Sequence, residues 1–187
     1  MRVNGVNAMT SGELSLSQQT LTLQEAIDLA VQHHTSGDLS EAESIYQQVL
    51  QADPNQPVAL HLVGLIAHQR GDNDRAVDLI TKALALKPDY AEAHSNFGTV
   101  LKGKGRFKEA VASCQKALSL NPNFVEAHSN LGVALMELGQ FDEAIQSYRK
   151  ALAIKPDYAI AQNNLGNAFE GLEQFDDAIA CYQKALE

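Results

Sequence analysis

The sequence predicts an all-α protein, a right-handed solenoid of tandem helix-turn-helix units. The first observation is a 34-residue period shared by three residue types. It links Pro54, Pro88, Pro122 and Pro156; Gly64, Gly98, Gly132 and Gly166; and Ala76, Ala110, Ala144 and Ala178. The second is that apolar residues between these markers recur every three or four positions, as they do on one face of a helix. A lone helical hairpin cannot bury its apolar stripe, so the units must stack on one another.

The period divides the chain into five units, at 23–56, 57–90, 91–124, 125–158 and an incomplete 159–187. Each unit is predicted to hold two helices. A glycine about fifteen residues into the unit supplies the positive φ that ends the first helix, and the proline ends the second. These glycines are Gly37, Gly71, Gly105 and Gly139, whereas the fifth unit has Glu173.

Small residues are expected where the two helices of a unit meet. Gly132 in the first helix and Ala144 in the second, with their equivalents, allow the two backbones to approach closely. A larger side chain there should cost roughly 1 to 3 kcal/mol by overpacking.

Composition excludes several classes of protein. No apolar run reaches the roughly 18 residues that a membrane span needs, and residues 1–22 lack the apolar segment of a secretory signal, so we expect a cytoplasmic protein. The net charge of −9 argues against nucleic acid as a partner. Cys114 and Cys181 form no motif that indicates a disulfide or a zinc site.

The ends carry their own expectations. Residues 1–22 are expected to be a mobile tail, or to form a short helix over Leu14 to Leu23 that caps the first unit. The fifth unit ends without a polar capping helix, which predicts either a fragment of a longer array or self-association through uncapped terminal repeats.

The sequence contains no catalytic signature, so neither enzymatic activity nor a cofactor is expected. Phosphate-binding loops, nucleophile elbows and metalloprotease motifs are all missing. The glycines and lysines of residues 102–105 coincide with the turn of a repeat. His94 and His128 occupy equivalent positions, which favours a structural role over a metal site.

The pattern resembles the tetratricopeptide repeat family over residues 23–187. In the fourth unit the family pattern is carried by His128, Leu131, Gly132, Leu135, Ala144, Tyr148, Ala151 and Pro156. The resemblance implies a protein or peptide ligand on the concave face, which the first helix of every unit lines. Members of the family that bind a carboxylate need Lys and Arg on that face. The fifth position of the first helix carries neither residue here, which argues against a carboxylate clamp; the five residues are Ile27, His61, Ser95, Ser129 and Asn163.

At the sixth position of the first helix, three consecutive units carry an amide, Asn96, Asn130 and Asn164. An Asn side chain can pair with both the N–H and the C=O of a peptide unit, so the row is suited to an extended backbone. The other candidate contacts are Ser95, Thr99, Ser129, Asn163, Asn167, Lys102, His61 and His68. Duplication of an exposed polar residue would produce the same row without function.

The asparagine row also resembles the peptide-binding superhelix of O-linked N-acetylglucosamine transferases. The segments that carry this likeness are 93–98, 127–132 and 162–166. On that resemblance Asn96, Asn130 and Asn164 would contact the acceptor protein. The alternative function is therefore substrate recognition for a larger glycosyltransferase, whose catalytic domain is not part of these residues.

Overall fold

The structure of the protein is a computed structural model that describes residues 13–16 and 19–186. The chain divides into two compact units, with the boundary between Leu86 and Lys87. Each of these two bodies contains several of the 34-residue repeats, and they are called unit 1 and unit 2 below. Because a repeat contacts only its neighbours, an array can separate into such bodies without any change in its repeating pattern.

Unit 1 contains a β-hairpin followed by two helix pairs. The hairpin is antiparallel and sets Leu14 opposite Leu21. In chain order the elements are β1 (Glu13–Leu16), β2 (Gln19–Thr22), α1 (Leu23–Thr35), α2 (Leu39–Ala52), α3 (Pro57–Gln69) and α4 (Asn73–Leu86).

The hairpin corrects the helix that was expected over Leu14 to Leu23. Leucine alternates with polar residues from position 13 to 16, and Thr20 and Thr22 flank Leu21. Alternation and β-branched residues both favour strands. The helix α1 begins only at Leu23, where Thr22 and Glu25 form a capping box. The remainder of the proposed mobile tail, residues 1–12, 17 and 18, lies outside the described residues.

Unit 2 contains three helix pairs. They are α5 (Ala91–Gly103), α6 (Phe107–Leu120), α7 (Val125–Glu137), α8 (Phe141–Ile154), α9 (Ala159–Gly171) and α10 (Phe175–Ala185). In both units the first helix of each pair begins at the first residue of an expected repeat. Within each unit every helix packs against the next, and in unit 2 α7 also contacts α5 and α9, so these three first helices form one layer.

The turns between paired helices use a left-handed residue. Gly37, Gly71, Gly105 and Gly139 have φ between +70° and +87°, as the sequence predicts. Glu173 takes the same role in the last pair with φ of +59°. A side chain disfavours this conformation by about 1 to 2 kcal/mol, so the turn before α10 is the strained one.

Small residues allow close approach inside each pair. A Cβ atom added to Gly132 would lie 2.5 Å from Cε1 of Tyr148, and one added to Gly64 would lie 2.7 Å from Cγ1 of Ile80. The alanines that face them, Ala76, Ala110, Ala144 and Ala178, are buried. In the pairs that carry this glycine, therefore, a side chain of the second helix occupies the space above it.

The core of unit 2 ends at an exposed apolar face. Leu131, Leu135, Tyr148, Leu165 and Phe169 belong to one buried cluster shared by α7, α8 and α9. On the last pair, by contrast, four large apolar side chains are exposed by more than half, namely Ile160, Phe175, Ile179 and Leu186.

Candidate peptide-binding surface

The three asparagines of the sequence pattern lie on the layer that α5, α7 and α9 form in unit 2. All three residues, Asn96, Asn130 and Asn164, are half-buried, so part of each residue remains exposed to solvent. Because the three helices are neighbours, the amides form a row that runs across them. We call this row the asparagine row.

One member of the asparagine row links two repeats. Nδ2 of Asn130 lies 3.1 Å from Oγ of Ser95, to which it donates, and 3.5 Å from the Ser95 carbonyl oxygen. Ser95 is fully buried. Because Ser95 is buried and accepts a hydrogen bond from Asn130, we assign it to positioning Asn130 and not, as expected from the sequence, to direct contact with a ligand.

Ser129, the equivalent of Ser95 one repeat later, is also buried, with 3% of its surface exposed. Tyr158 lies close to it: burial is the main reason that the pKa of Tyr158 is raised, the charge of Glu126 adds to this rise, and the Ser129 hydroxyl acts in the opposite direction. Ser129 is thus a supporting residue rather than a direct contact. Tyr158 was missed, although aromatic residues recur at this position as Tyr90 and Phe124.

Asn164 borders an open groove at the end of the layer. The groove has a volume of about 450 Å³ and is lined by Asn163, Asn164 and Tyr182, together with apolar residues of α9 and α10. Asn163 is exposed. We call it the α9–α10 groove.

A second row lies one helical turn further along the same helices. Thr99 and Lys102 on α5 are half-buried, and Asn167 on α9 is exposed. The Tyr182 hydroxyl lies 2.8 Å from Oδ1 of Asn167 and 2.8 Å from Oε2 of Glu170, so α10 positions both acceptors. These residues share the face of the asparagine row.

The two candidate histidines belong to unit 1 and are already engaged there. His61 is 2% exposed, and burial, with a smaller effect of His34, lowers its pKa to about 4. His68 is half-buried, and its Nδ1 donates to Oδ1 of Asn73 at 2.5 Å, which joins α3 to the start of α4. His61 is therefore revised to a neutral core residue.

A larger groove of unit 2 lies away from the asparagine row. It has a volume of about 610 Å³ and is lined by residues of α6, α7 and α8, including Leu118, His128 and Ile154. His128 donates from Nε2 to the Pro122 carbonyl oxygen at 2.9 Å, and His94 makes the same contact with Pro88. Both histidines thus fasten a first helix to the preceding loop, as a structural role requires.

The described part of the chain comprises residues 13–16 and 19–186. No group of three or more His, Cys, Asp or Glu side chains in that part of the chain is arranged to hold a metal ion. None of the helices described there has both the length and the apolar character needed to cross a membrane.

Family models match most of the repeat region. Models described as tetratricopeptide repeat match residues 33–95 and 159–187, and one described as TPR repeat matches residues 98–139 and 134–172. A comparison with curated protein sequences gives no match.

Solved structures of similar fold include three with distinct names. MamA is 30% identical, with a TM-score of 0.71 over 84% of this chain and 92% of that chain. YrrB, described as a TPR protein with an unusual peptide-binding site, is 26% identical, with a TM-score of 0.67 over 86% of this chain and 83% of that chain. PilF of Pseudomonas aeruginosa is 19% identical, with a TM-score of 0.78 over 88% of this chain and 75% of that chain, and shows the fold alone.

The predicted class of tandem helix-turn-helix repeats is confirmed by these matches and by the helix pairs themselves. The chain belongs to the tetratricopeptide repeat family.

Proposed function

We propose that this chain is a protein-interaction module without enzymatic activity, and that the layer of α5, α7 and α9 holds an extended peptide. The observation that carries the proposal is the asparagine row, which sets one half-buried amide on each of three neighbouring helices. The description of YrrB as a peptide-binding member of the family supports the same kind of ligand.

The spacing of the row suits a peptide backbone. Neighbouring helix axes lie about 8 to 10 Å apart, which is close to three residues of extended chain. Asn130 already uses Nδ2 on Ser95, so it would offer its carbonyl oxygen to a ligand N–H. Asn164, at the edge of the α9–α10 groove, would offer both donor and acceptor.

Charge near the row favours a neutral or basic ligand. Glu126, Glu137 and Glu170 lie on α7 and α9 and are exposed. A cation, Lys102, lies on α5 at the opposite end of the asparagine row. We expect these charges to change the rate at which a ligand associates and the selectivity for its charge, because exposed charges add little to affinity.

The direct test is titration of a panel of extended peptides of about ten residues and varied net charge. The Asn96→Ala, Asn130→Ala, Asn164→Ala variant should bind at least about tenfold more weakly, since each lost hydrogen bond contributes about 0.5 to 1.5 kcal/mol. Asn55→Ala, an exposed loop change in unit 1, is the control and should bind as the unmodified chain does. Equal affinity of triple variant and control would remove the row from the site.

Substrate recognition for a larger glycosyltransferase is the alternative proposal. Its support is the likeness of residues 93–98, 127–132 and 162–166 to the transferase repeats. It predicts that the peptides bound by the row include acceptors that such a transferase glycosylates. Binding confined to peptides that a transferase never modifies would contradict it.

We further propose that the chain self-associates through the apolar end of its last repeat. The supporting observation is the exposure of Ile160, Phe175, Ile179 and Leu186 on one pair of helices, since soluble monomers seldom leave large apolar patches uncovered.

A cytoplasmic location remains a proposal as well. It rests on two unpaired cysteines, which suit a reducing compartment. Cell fractionation would test it.

A further inference from the structure

The middle helix of the layer, α7, carries apolar side chains beside its member of the asparagine row. Asn130, Val133 and Met136 follow one another at intervals of three residues, so they lie on the same side of the helix. Val133 and Met136 are half-buried and pack against the core cluster of unit 2. Because α7 has α5 on one side and α9 on the other, their remaining exposure belongs to the layer itself. We call Val133 and Met136 the α7 patch.

The equivalent positions on the two flanking helices are polar. Thr99 and Lys102 hold them on α5, and Asn167 and Glu170 hold them on α9. A ligand that crosses the three helices at this level therefore passes from a polar pair to the apolar α7 patch and then to a second polar pair.

Charge changes sign across the same three helices. Lys102 lies on α5, whereas Glu137 on α7 and Glu170 on α9 are exposed acids. The hydroxyl of Tyr182 holds Glu170 in place, at 2.8 Å from its Oε2. The layer thus offers a cation at α5 and carboxylates at α7 and α9, with the α7 patch between Lys102 and Glu170.

The spacing of the helices sets how often a ligand residue can meet the asparagine row. Short side chains bridge α7 and α5, since Nδ2 of Asn130 lies 3.1 Å from Oγ of Ser95. Side chains as short as these meet when the helix axes are at the ordinary separation of about 8 to 10 Å. One ligand residue in three therefore falls opposite each helix.

The backbone conformation decides whether every third residue of a ligand faces the same way. In a β-strand successive residues point to opposite faces, so residues three apart face in opposite directions. A polyproline II helix has three residues per turn and rises about 3.1 Å per residue, so residues three apart share a face and lie about 9 Å apart. Its backbone has no internal hydrogen bonds, which leaves N–H and C=O groups for the asparagine amides.

We propose that the layer binds a polyproline II segment with one turn on each helix, whose residues facing α5, α7 and α9 are acidic, apolar and basic in that order. The acidic side chain meets Lys102, the apolar one covers the α7 patch, and the basic one meets Glu137 and Glu170. This inference rests on the peptide binding proposed above and adds the conformation and the side chains of the ligand.

The hydrogen bonds of Asn130 make the proposal specific about the ligand backbone. Because Nδ2 of Asn130 already donates to Ser95, its Oδ1 is the atom that accepts a ligand N–H. One N–H in every three is then required by the row, and the two between remain in solvent. Proline, which lacks the N–H, is compatible with those two positions.

The first experiment measures the affinity of the full chain for a peptide of about ten residues that carries glutamate, leucine and lysine at intervals of three among alanines. Each residue in turn is N-methylated, which removes an N–H and keeps the side chain. Affinity should fall about fivefold at every third residue and change little at the others, since one hydrogen bond is lost. Losses at every second residue, or losses without a period, would overturn the polyproline II conformation.

Proline in place of alanine at the insensitive positions gives a second readout. It should strengthen binding about twofold, because proline orders the free peptide in the bound conformation. Loss of binding at these positions would also overturn the conformation.

The asparagine variants separate this inference from the proposed function. If the Asn96→Ala, Asn130→Ala, Asn164→Ala variant loses affinity while N-methylation shows a period of two, peptide binding by the row stands and the conformation is overturned. If that variant binds as the unmodified chain does, both are overturned.

A charge reversal tests the order of the ligand side chains. The quantity measured is the affinity for the glutamate–leucine–lysine peptide divided by that for a lysine–leucine–lysine peptide. Lys102→Glu should lower this ratio about fivefold, because it repels the acidic residue and attracts the basic one. Lys116→Glu is the matched control, since Lys116 is exposed on α6 outside the layer, and it should leave the ratio unchanged. Equal ratios in the two variants would contradict the placing of the acidic residue at α5.

A change in the α7 patch tests the apolar position. Met136→Ser should weaken binding of the leucine peptide about fivefold and that of a peptide with alanine in place of leucine by less than about twofold. Circular dichroism checks that the variant keeps its fold. Equal losses for the two peptides would show that the leucine side chain does not cover the α7 patch.

Discussion

The fourth and fifth repeats of this chain share a sequence pattern but differ in their burial. Ile145 is 5% exposed in the fourth repeat, and Ile179, at the same position of the fifth, is 54% exposed. Tyr148 is 1% exposed, whereas its equivalent Tyr182 is half-buried. The two residues of each pair occupy the same position of the repeat, so the difference in their exposure comes from the structure that lies next to them.

This comparison separates two contributions to the fold. The pattern within a repeat determines where its helices begin, where they turn and which side chains face the next repeat. The neighbouring repeat determines whether those side chains are buried, because each repeat packs only on the ones beside it. Equivalent substitutions in the two repeats should therefore have unequal effects.

The largest difference is expected for the two isoleucines. Ile145→Ala should lower the free energy of unfolding by about 3 kcal/mol, since it removes buried methylenes and leaves a cavity. Ile179→Ala should change it by less than about 0.5 kcal/mol in the monomer, as at other exposed positions. Urea denaturation at about 1 µM protein measures both. Equal losses would mean that α10 is covered within the monomer.

The packing glycines should differ less. Gly132→Ala should destabilise by about 1 to 3 kcal/mol, because the buried ring of Tyr148 cannot move aside. At Gly166 the added methyl also meets a tyrosine ring, but Tyr182 can turn toward solvent, and the helix propensity of alanine offsets the cost by about 1 kcal/mol. Gly166→Ala should therefore change the free energy of unfolding very little, and thermal unfolding measures this. A cost at Gly166 as large as that at Gly132 would refute this account.

The turns give the smallest effect, and it has the opposite sign in the two repeats. Glu173→Gly should stabilise the chain by about 1 kcal/mol, because glycine adopts φ of +59° without the Cβ penalty. Gly139→Ala should destabilise by a similar amount of about 1 kcal/mol at φ of +71°. Calorimetry of the two single variants measures this, and a destabilised Glu173→Gly protein would show that the Glu173 side chain contributes contacts that outweigh the strain.

The period was enough to predict the helix pairs, the glycine turns and the face that carries the asparagine row, because each depends on residues within one repeat. It did not predict that Ser95 and Ser129 are buried, since the surroundings of Ser95 include Asn130 of the following repeat and those of Ser129 include Tyr158, the last residue of its own repeat. The interaction of Glu43 with Arg70 and Arg75 was missed for a different reason. These residues lie off the 34-residue period, and Glu43 is buried between charges that are distant in sequence.

The hairpin is not predicted by the helical periodicity of the chain, because its residues alternate with a period of two. Four residues of alternating pattern are a weak signal beside five copies of a repeat. The alternation of leucine with polar residues near positions 13–22 is the signal that indicates the two strands.

Hydrogen exchange of the dilute monomer tests most directly the claim that burial in a repeat comes from the next one. Amides of α8, whose apolar face is covered by α9, should exchange at least about a hundredfold more slowly than those of α10. Equal protection of the two helices would contradict the claim, because α10 would then be as well supported as a helix that has a neighbour on both sides.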